Sequence, residues 1–231
     1  MELRIFSAGA AKGLVYTIQQ TFSAETGAGI AGVFGAVGAM KEQLLAGEPC
    51  DVIILTAALS AELTQSGHLV PGSSAPLGRV ATGIAVRLGT PLPDTSSGVA
   101  FKGNLLAANG IYFPDPQRAT AGSHFVKVLR QLDIYDKLVS RLHPYPNGAL
   151  AMQQLARTSE PRLIGCTQIT EINYTPGVTL AGLLPGEFEL STAYFAGVCR
   201  KAAQPAIARR LVELLTGPAS LAQRAAAGFE L

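Results

Sequence analysis

The sequence predicts an α/β protein of two lobes, each a mixed, mostly parallel sheet flanked by helices. Three observations point there. Short apolar runs alternate with amphipathic stretches from residue 3 to residue 89, the order that helical crossovers between parallel strands produce. The same alternation restarts after a Pro/Ser/Gly-rich stretch, TPLPDTSSG (90–98). Two extended runs, near 80–89 and 189–199, can carry the chain from one lobe to the other and back. This assigns residues 1–82 and 192–231 to the first lobe and 83–191 to the second, with a ligand cleft expected between them.

The elements follow in order. LRIF (3–6) reads as a strand. GLVYTIQQTFSAETG (13–27) reads as a helix, with Leu14, Ile18 and Phe22 on one face and Gly27 as its C-cap. IAGVF (30–34) is a second strand, and AVGAMKEQLLAG (36–47) a second helix closed by glycine. DVIIL (51–55) is a continuous apolar run, as a buried parallel strand requires. LSAELTQSG (59–67) is a third helix and VATGIAVRLG (80–89) a fourth strand, which predicts that the first four strands form one parallel sheet. Beyond the linker, FKGNLLAA is a short segment of unassigned type, IYF (111–113) a strand and SHFVKVLRQLDI (123–134) a helix. GALAMQQLART (148–158) is a helix and RLIGCTQ (162–168) a strand. VTLAGLL (178–184) and ELSTAYFAGVC (189–199) are strands, and AIARRLVELLTG (206–217) and SLAQRAAAGF (220–229) close the chain as helices.

Composition narrows the classes of function. With 48 % hydrophobic and 15 % charged residues, the chain can bury a large core and is not disordered. A net charge of +2, without basic runs, predicts no nucleic-acid partner. No run of about 18 apolar residues occurs, so no membrane insertion is expected. Met1 is followed almost at once by LRIFSAG, which lacks a basic and then apolar leader. As written the chain reads as cytoplasmic, or as periplasmic if a leader has been removed. Cys50, Cys166 and Cys199 are widely spaced, an arrangement that suits apolar packing better than a disulfide framework or zinc site. GxSxG, Walker A and HExxH patterns are missing, and no cofactor or metal is expected.

In open α/β sheets ligands sit beyond the carboxyl ends of strands, at helix N-termini. Four such junctions are rich in small residues: SAGAAKG (7–13), FGAVGAM (34–40), DPQRATAGSH (115–124) and YPNGAL (145–150). Small residues let the backbone approach a ligand, and the free N–H groups of a first helical turn attract anions. A small anion is therefore the expected guest, although the same residues also permit tight turns. Lys12, Arg79, Arg118 and His124 are the cationic candidates, and Glu171 is the nearest acid. Arg118 reads either as a clamp or as a solvated loop charge. His124 reads either as a packed ring or as a donor and proton carrier. Thr167, Gln168 and Glu171 follow a strand where they can line a cleft. His68 and His143 read as surface residues.

The runs LRIFSAGAAKGL, FGAVGAMKEQLLAGEPCDVIILTA, PDPQRATAGSHFVKVLRQLDI and NGALAMQQLA resemble the periplasmic molybdate-binding proteins, type II solute-binding proteins of ABC transporters. The likeness extends to GPASLAQRAAAGFEL, and LLAGEPCDVIILTA is its most specific part. It implies a two-lobed type II periplasmic-binding-protein-like fold with two hinge strands and an oxyanion or small acid between the lobes. It also implies an ABC permease as partner for an exported member. The resemblance places Ala10, Val37, Ala121 and Thr167 around the ligand, and the junction reading adds Ser7, Lys12, Gly38, Arg79, Arg118, Thr120, Asn147 and Gln168.

This sequence departs from the resembled pattern at the ligand. Ala10 and Val37 stand where the family has serines, Thr167 where it has a tyrosine and Pro146 where it has a valine, while Ala121 is kept. Three lost donors to a dianion, each worth about 1.5–3 kcal/mol, point away from molybdate or tungstate. Arg118, with Thr120, Asn147 and Gln168 nearby, points to a larger organic acid, because a guanidinium fits a carboxylate through two parallel hydrogen bonds.

Three functions remain open on the sequence. One is a binder of a di- or tricarboxylate that closes on its ligand. The second is an enzyme resembling aconitate isomerase, with Arg118 and Lys12 as clamps and His124 or Glu171 moving the proton. The third is a regulatory ligand-binding module. Molybdate or tungstate binding for an ABC transporter is the further alternative that the resemblance carries.

Overall fold

A computed structural model describes residues 2–231. The strands are β1 (Glu2–Ala8), β2 (Gly29–Gly35), β3 (Val52–Thr56), β4 (Ala75–Arg87), β5 (Gly110–Pro114), β6 (Leu142–Tyr145), β7 (Leu163–Gln168), β8 (Val178–Leu183) and β9 (Ser191–Val198). The helices are α1 (Lys12–Thr26), α2 (Val37–Leu45), α3 (Ala57–Gln65), α4 (Gly98–Ala107), α5 (Thr120–Gln131), α6 (Tyr135–Leu138), α7 (Gly148–Arg157), α8 (Ile169–Tyr174), α9 (Pro205–Thr216) and α10 (Leu221–Ala227). The chain divides into two compact units, residues 2–80 with 193–231, and residues 81–192. The divisions fall inside β4 and β9.

In unit 1, β1 pairs in parallel with β2 and β3, and β3 pairs antiparallel with β9. The unbroken apolar run of β3 is buried along its whole length. β2 is an edge strand and is half exposed, so its glycines and alanine suffice. Leu14, Val15, Ile18 and Phe22 turn the buried stripe of α1 inward, and Gly27, at φ +67°, ends the helix in a left-handed cap that other residues adopt only with strain. Pro205 starts α9 at the one turn where a missing N–H does no harm, and Leu211, Val212 and Leu215 bury its inner face.

In unit 2, β7 lies between β4 and β5, antiparallel to the first and parallel to the second. β6 pairs in parallel with β5, and β8 antiparallel with β4. Alternate residues of β5 serve opposite faces. Ile111 and Phe113 join Phe101, Leu105, Phe125, Val128 and Leu129 in one core, while Tyr112 joins Met152, Leu155 and Ile172 in another. Gly122 seats α5 on the end of β5. A Cβ there would lie 2.9 Å from the Asp115 carbonyl oxygen and closer still to that of Pro114. Gly122→Ala is expected to lower unfolding free energy by about 1–3 kcal/mol, because the obstacle is backbone and cannot rotate away. Chemical denaturation checks this.

Four details differ from the sequence reading. β4 does not complete a four-stranded parallel sheet. It begins at Ala75, leaves unit 1 at Val80 and pairs antiparallel in unit 2. Periodicity carries no strand direction, so the reading could not detect this. The segment around FKGNLLAA is the helix α4, started by Ser97, whose hydroxyl accepts the Ala100 N–H. LHPY is a strand that the reading missed, since four residues containing a proline give no strand signal. The helices α6 and α8 were also missed, α6 spanning only Tyr135–Leu138 and α8 only Ile169–Tyr174.

Candidate functional site

The carboxyl ends of parallel strands gather loops at one end of each sheet. In unit 1 the register pairs Ala8 with Gly35, so the loops after β1 and β2 are neighbours. Ser7 is fully buried, and its hydroxyl donates to the Ala8 carbonyl at 3.0 Å. Ala10 lies in the 3-10 turn Gly9–Ala11 and is buried. Lys12 opens α1, and its ammonium stands 5.7 Å from the Tyr16 ring centre and 5.8 Å from that of Phe34. The two rings hold a cation against the ends of both strands. Val37 and Gly38 form the first turn of α2, with Val37 buried. Arg79 is exposed, on β4 one residue before the chain leaves unit 1. Its backbone exchanges two hydrogen bonds with Glu230, at 2.7 and 2.8 Å, beside Gly78, whose missing side chain admits the C-terminal segment.

In unit 2 the loops after β5, β6 and β7 share one end of the sheet. The loop after β5 is wound on Asp115. Its carbonyl accepts from Arg118 and Ala119 N–H, and its carboxylate accepts from Gln117 N–H at 2.8 Å. This turn presents Arg118 exposed, immediately before α5. Thr120 and the buried Ala121 are the first two residues of that helix. His124 is half-buried, and its Nε2 donates to the Phe188 carbonyl at 2.7 Å. That nitrogen is committed to holding residues 186–188 against α5, and Nδ1 is the one left for other chemistry.

Helix caps separate into two kinds. Thr56, Ser97 and Asn147 cap α3, α4 and α7 by accepting a backbone N–H. Alanines stand at the same position of α1, α2 and α5, and no side chain caps them. α2 and α5 therefore keep first-turn N–H groups for another acceptor, while in α1 the first of them, that of Lys12, already donates to the Gly9 carbonyl. Asn147 was expected among the ligand residues, yet its carbonyl oxygen accepts Leu150 N–H at 2.9 Å, leaving only its amide NH2.

The loops after β6 and β7 are joined by a buried carboxyl. Thr167 is fully buried and donates to Glu171 Oε2 at 2.5 Å. The Glu171 carboxyl also accepts the backbone N–H groups of Ala149, in the first turn of α7, and of Gln168, the residue that opens α8. Burial pushes its pKa up, and the hydrogen bonds from Thr167, Ala149 and Gln168 oppose that rise. Gln168 is buried and donates to the Thr192 hydroxyl at 3.3 Å. Sequence reading saw Glu171 but not its burial. The signal was Gln168 followed three residues later by Glu171, the spacing at which a carboxylate reaches back to the residue that starts the helix. Among the described residues, no group of three or more His, Cys, Asp or Glu side chains could hold a metal ion.

An α/β chain with uncapped helix N-termini at the strand ends has the anatomy of a solute-binding protein. The chain belongs to the family of bacterial extracellular solute-binding proteins, which it matches over residues 3–230. Its fold is that of the type II periplasmic binding proteins. It superimposes on the periplasmic molybdate-binding protein of Azotobacter vinelandii with a TM-score of 0.82, at 23 % identity, covering 99 % of each chain. The sulfate-binding protein SubI of Mycobacterium tuberculosis H37Rv gives a TM-score of 0.74 at 13 % identity, over 99 % of this chain and 86 % of that one. In sequence, the chain is 27 % identical to an aconitate isomerase of a Pseudomonas species, over 92 % of this chain and 81 % of the relative.

Proposed function

We propose that this protein binds a small di- or tricarboxylate. The observation that carries this reading is the loop after β5, where Arg118 precedes a helix whose first turn has no side-chain cap. A guanidinium beside free N–H groups suits a planar carboxylate, with two parallel hydrogen bonds from the arginine and further donors from the helix. Thr167 fits this reading too, because its hydroxyl proton is turned to Glu171 rather than offered to a compact oxyanion. The loops of unit 1 supply the same kind of surface, with the Lys12 ammonium and the uncapped turns of α1 and α2. The family's extracellular designation makes export and an ABC permease partner part of the proposal, and no helix among the described residues is long and apolar enough to cross a membrane.

A thermal-shift screen of di- and tricarboxylates against molybdate, tungstate and sulfate tests the reading. At a hundredfold excess over the dissociation constant, a true ligand adds about 2.7 kcal/mol of stability. Arg118→Ala is expected to weaken the best carboxylate by tenfold or more in calorimetric titration, about 1.5–3 kcal/mol for a hydrogen bond to a charged group. Strong stabilisation by molybdate alone, or an unchanged carboxylate affinity in the variant, would overturn it.

A second reading is an isomerase moving a proton along the allylic carboxylate system of aconitate. It is favoured by the aconitate isomerase relative and by the Glu171 carboxyl, whose pKa burial raises. In this reading Glu171 or His124 Nδ1 carries the proton, while Arg118 and Lys12 hold carboxylates. Incubation with cis- or trans-aconitate in deuterated water is the direct test. Neither interconversion nor deuterium uptake would leave a binder only.

A further inference from the structure

Two of the three cysteines meet in unit 1. Cys50 ends the loop before β3 and Cys199 follows the last residue of β9. The antiparallel ladder of these strands reaches Val52 opposite Val198. One more bond, from the Cys199 N–H to the Asp51 carbonyl at 2.9 Å, continues it into the corner. That register sets Cys199 against the residue next to Cys50. The two thiols are in hydrogen-bond contact, and Cys50 Sγ in turn donates to the Val52 carbonyl at 3.1 Å. The Asp51 carboxylate is held by the N–H groups of Arg4 and Ala203 at 2.8 and 2.7 Å, and its charge also acts on the Cys199 thiol.

The pair is buried yet reachable. Cys50 is 5 % exposed and Cys199 1 %, but both line a cavity of about 370 Å³ that also includes His68, Glu48, Arg200 and Lys201. Two permanent cations against one carboxylate give its wall an excess of positive charge. Cys166, by contrast, is fully enclosed in the unit 2 core with Phe113 and Phe125.

We propose that Cys50 and Cys199 are a redox dithiol, closed to a disulfide by exchange with a small anionic disulfide that enters this cavity. Cys50, the more exposed of the two, meets the small disulfide first, while its contact with Cys199 and burial hold the Cys199 thiol above its ordinary range. The Cys50 sulfur attacks one sulfur of the small disulfide, forming a mixed disulfide and releasing one thiolate, which takes up the proton lost by Cys50. The Cys199 sulfur then attacks the Cys50 sulfur, expels the second thiolate and passes its proton to it. Two electrons move from the dithiol to the small disulfide, giving one protein disulfide and two small thiols.

The test uses the intact chain, reduced, folded and incubated with oxidised glutathione. The expected product has lost two hydrogens and yields, on digestion, one peptide pair joining Cys50 to Cys199, with Cys166 still a free thiol. At low ionic strength oxidised glutathione should react faster than cystamine, a dicationic disulfide, when each rate is normalised to that with a small free thiol. Salt should narrow the difference. A lasting glutathione adduct without the cross-link, or no reaction, overturns the dithiol. Modification of Cys166 at the same rate also overturns it, since that requires general unfolding. Equal normalised rates overturn the anionic partner.

Discussion

Gly148→Ala is expected to be the most damaging single-methyl change in unit 2. A Cβ at this position would overlap Glu171 Oε2 and Thr167 Oγ1 and lie 2.7 Å from the Glu171 carboxyl carbon. Neither partner can step aside without loss. Thr167 is enclosed in β7, and the Glu171 carboxyl is tied to the N–H groups of Ala149 and Gln168. Overpacking costs about 1–3 kcal/mol, and one broken hydrogen bond to a buried charged or acidic group adds about as much. A total near 3 kcal/mol corresponds to a fall in melting temperature of roughly 6–12 °C for a chain of this size. Circular dichroism melting measures it. The cause is separable, because adding Glu171→Ala removes one of the two obstacles and frees the Thr167 hydroxyl, the other, to turn away. The methyl should then be at least about 1 kcal/mol less damaging than in the parent, the coupling expected of residues in contact. Strict additivity would place the damage elsewhere.

Much of the fold was legible because burial writes itself into the sequence. VIIL, IYF and LIGC are continuous apolar runs and each is a strand buried on both faces, while LRIF alternates at its start, with Arg4 exposed between the buried Leu3 and Ile5. The stripe of Leu14, Ile18 and Phe22 is likewise the buried face of α1. What failed was information that periodicity does not hold. The direction of β4 depends on where the chain leaves unit 1, and LHPY joins a sheet only because β5 offers it an edge. The candidate site divides in the same way. Small residues at strand ends were visible, and α1, α2 and α5 do begin with alanine caps. The partners of polar groups were not visible. Asn147 turned out to cap its own helix, His124 to bond a carbonyl, and Glu171 to be an interior residue. Each of these contacts is set by tertiary packing, which a single sequence does not display.

Glu171→Gln is expected to remove the pH dependence of this corner. Burial raises the carboxyl's pKa in the folded state, so the folded chain holds the proton more tightly than the unfolded chain. The stability from this group is complete below the ordinary carboxylate range, near pH 4.5, and is lost as pH rises through the folded value. A glutamine imitates the neutral acid at every pH, with its NH2 able to donate to Thr167 Oγ1 and its oxygen able to accept a backbone N–H. Below pH 4.5 parent and variant should therefore differ little. As pH rises the variant should become relatively more stable, by about 1.4 kcal/mol for each unit by which the folded pKa is raised, and the difference should then level off. Urea titrations at several pH values read this directly. The opposite trend, with the parent gaining on the variant as pH rises, would mean that the three hydrogen bonds outweigh burial and that the buried carboxyl is charged. The distinction reaches the proposed ligand as well. A charged Glu171 would set a negative group on the N–H groups of α7 and α8, repelling an anion near them, whereas a neutral one would not. Carboxylate affinity in the parent should thus weaken as Glu171 ionises, and affinity in Glu171→Gln should stay level over the same range. For an isomerase the same variant separates the two proton carriers: it should keep the ligand and lose the deuterium exchange where Glu171 moves the proton, and keep both where His124 does.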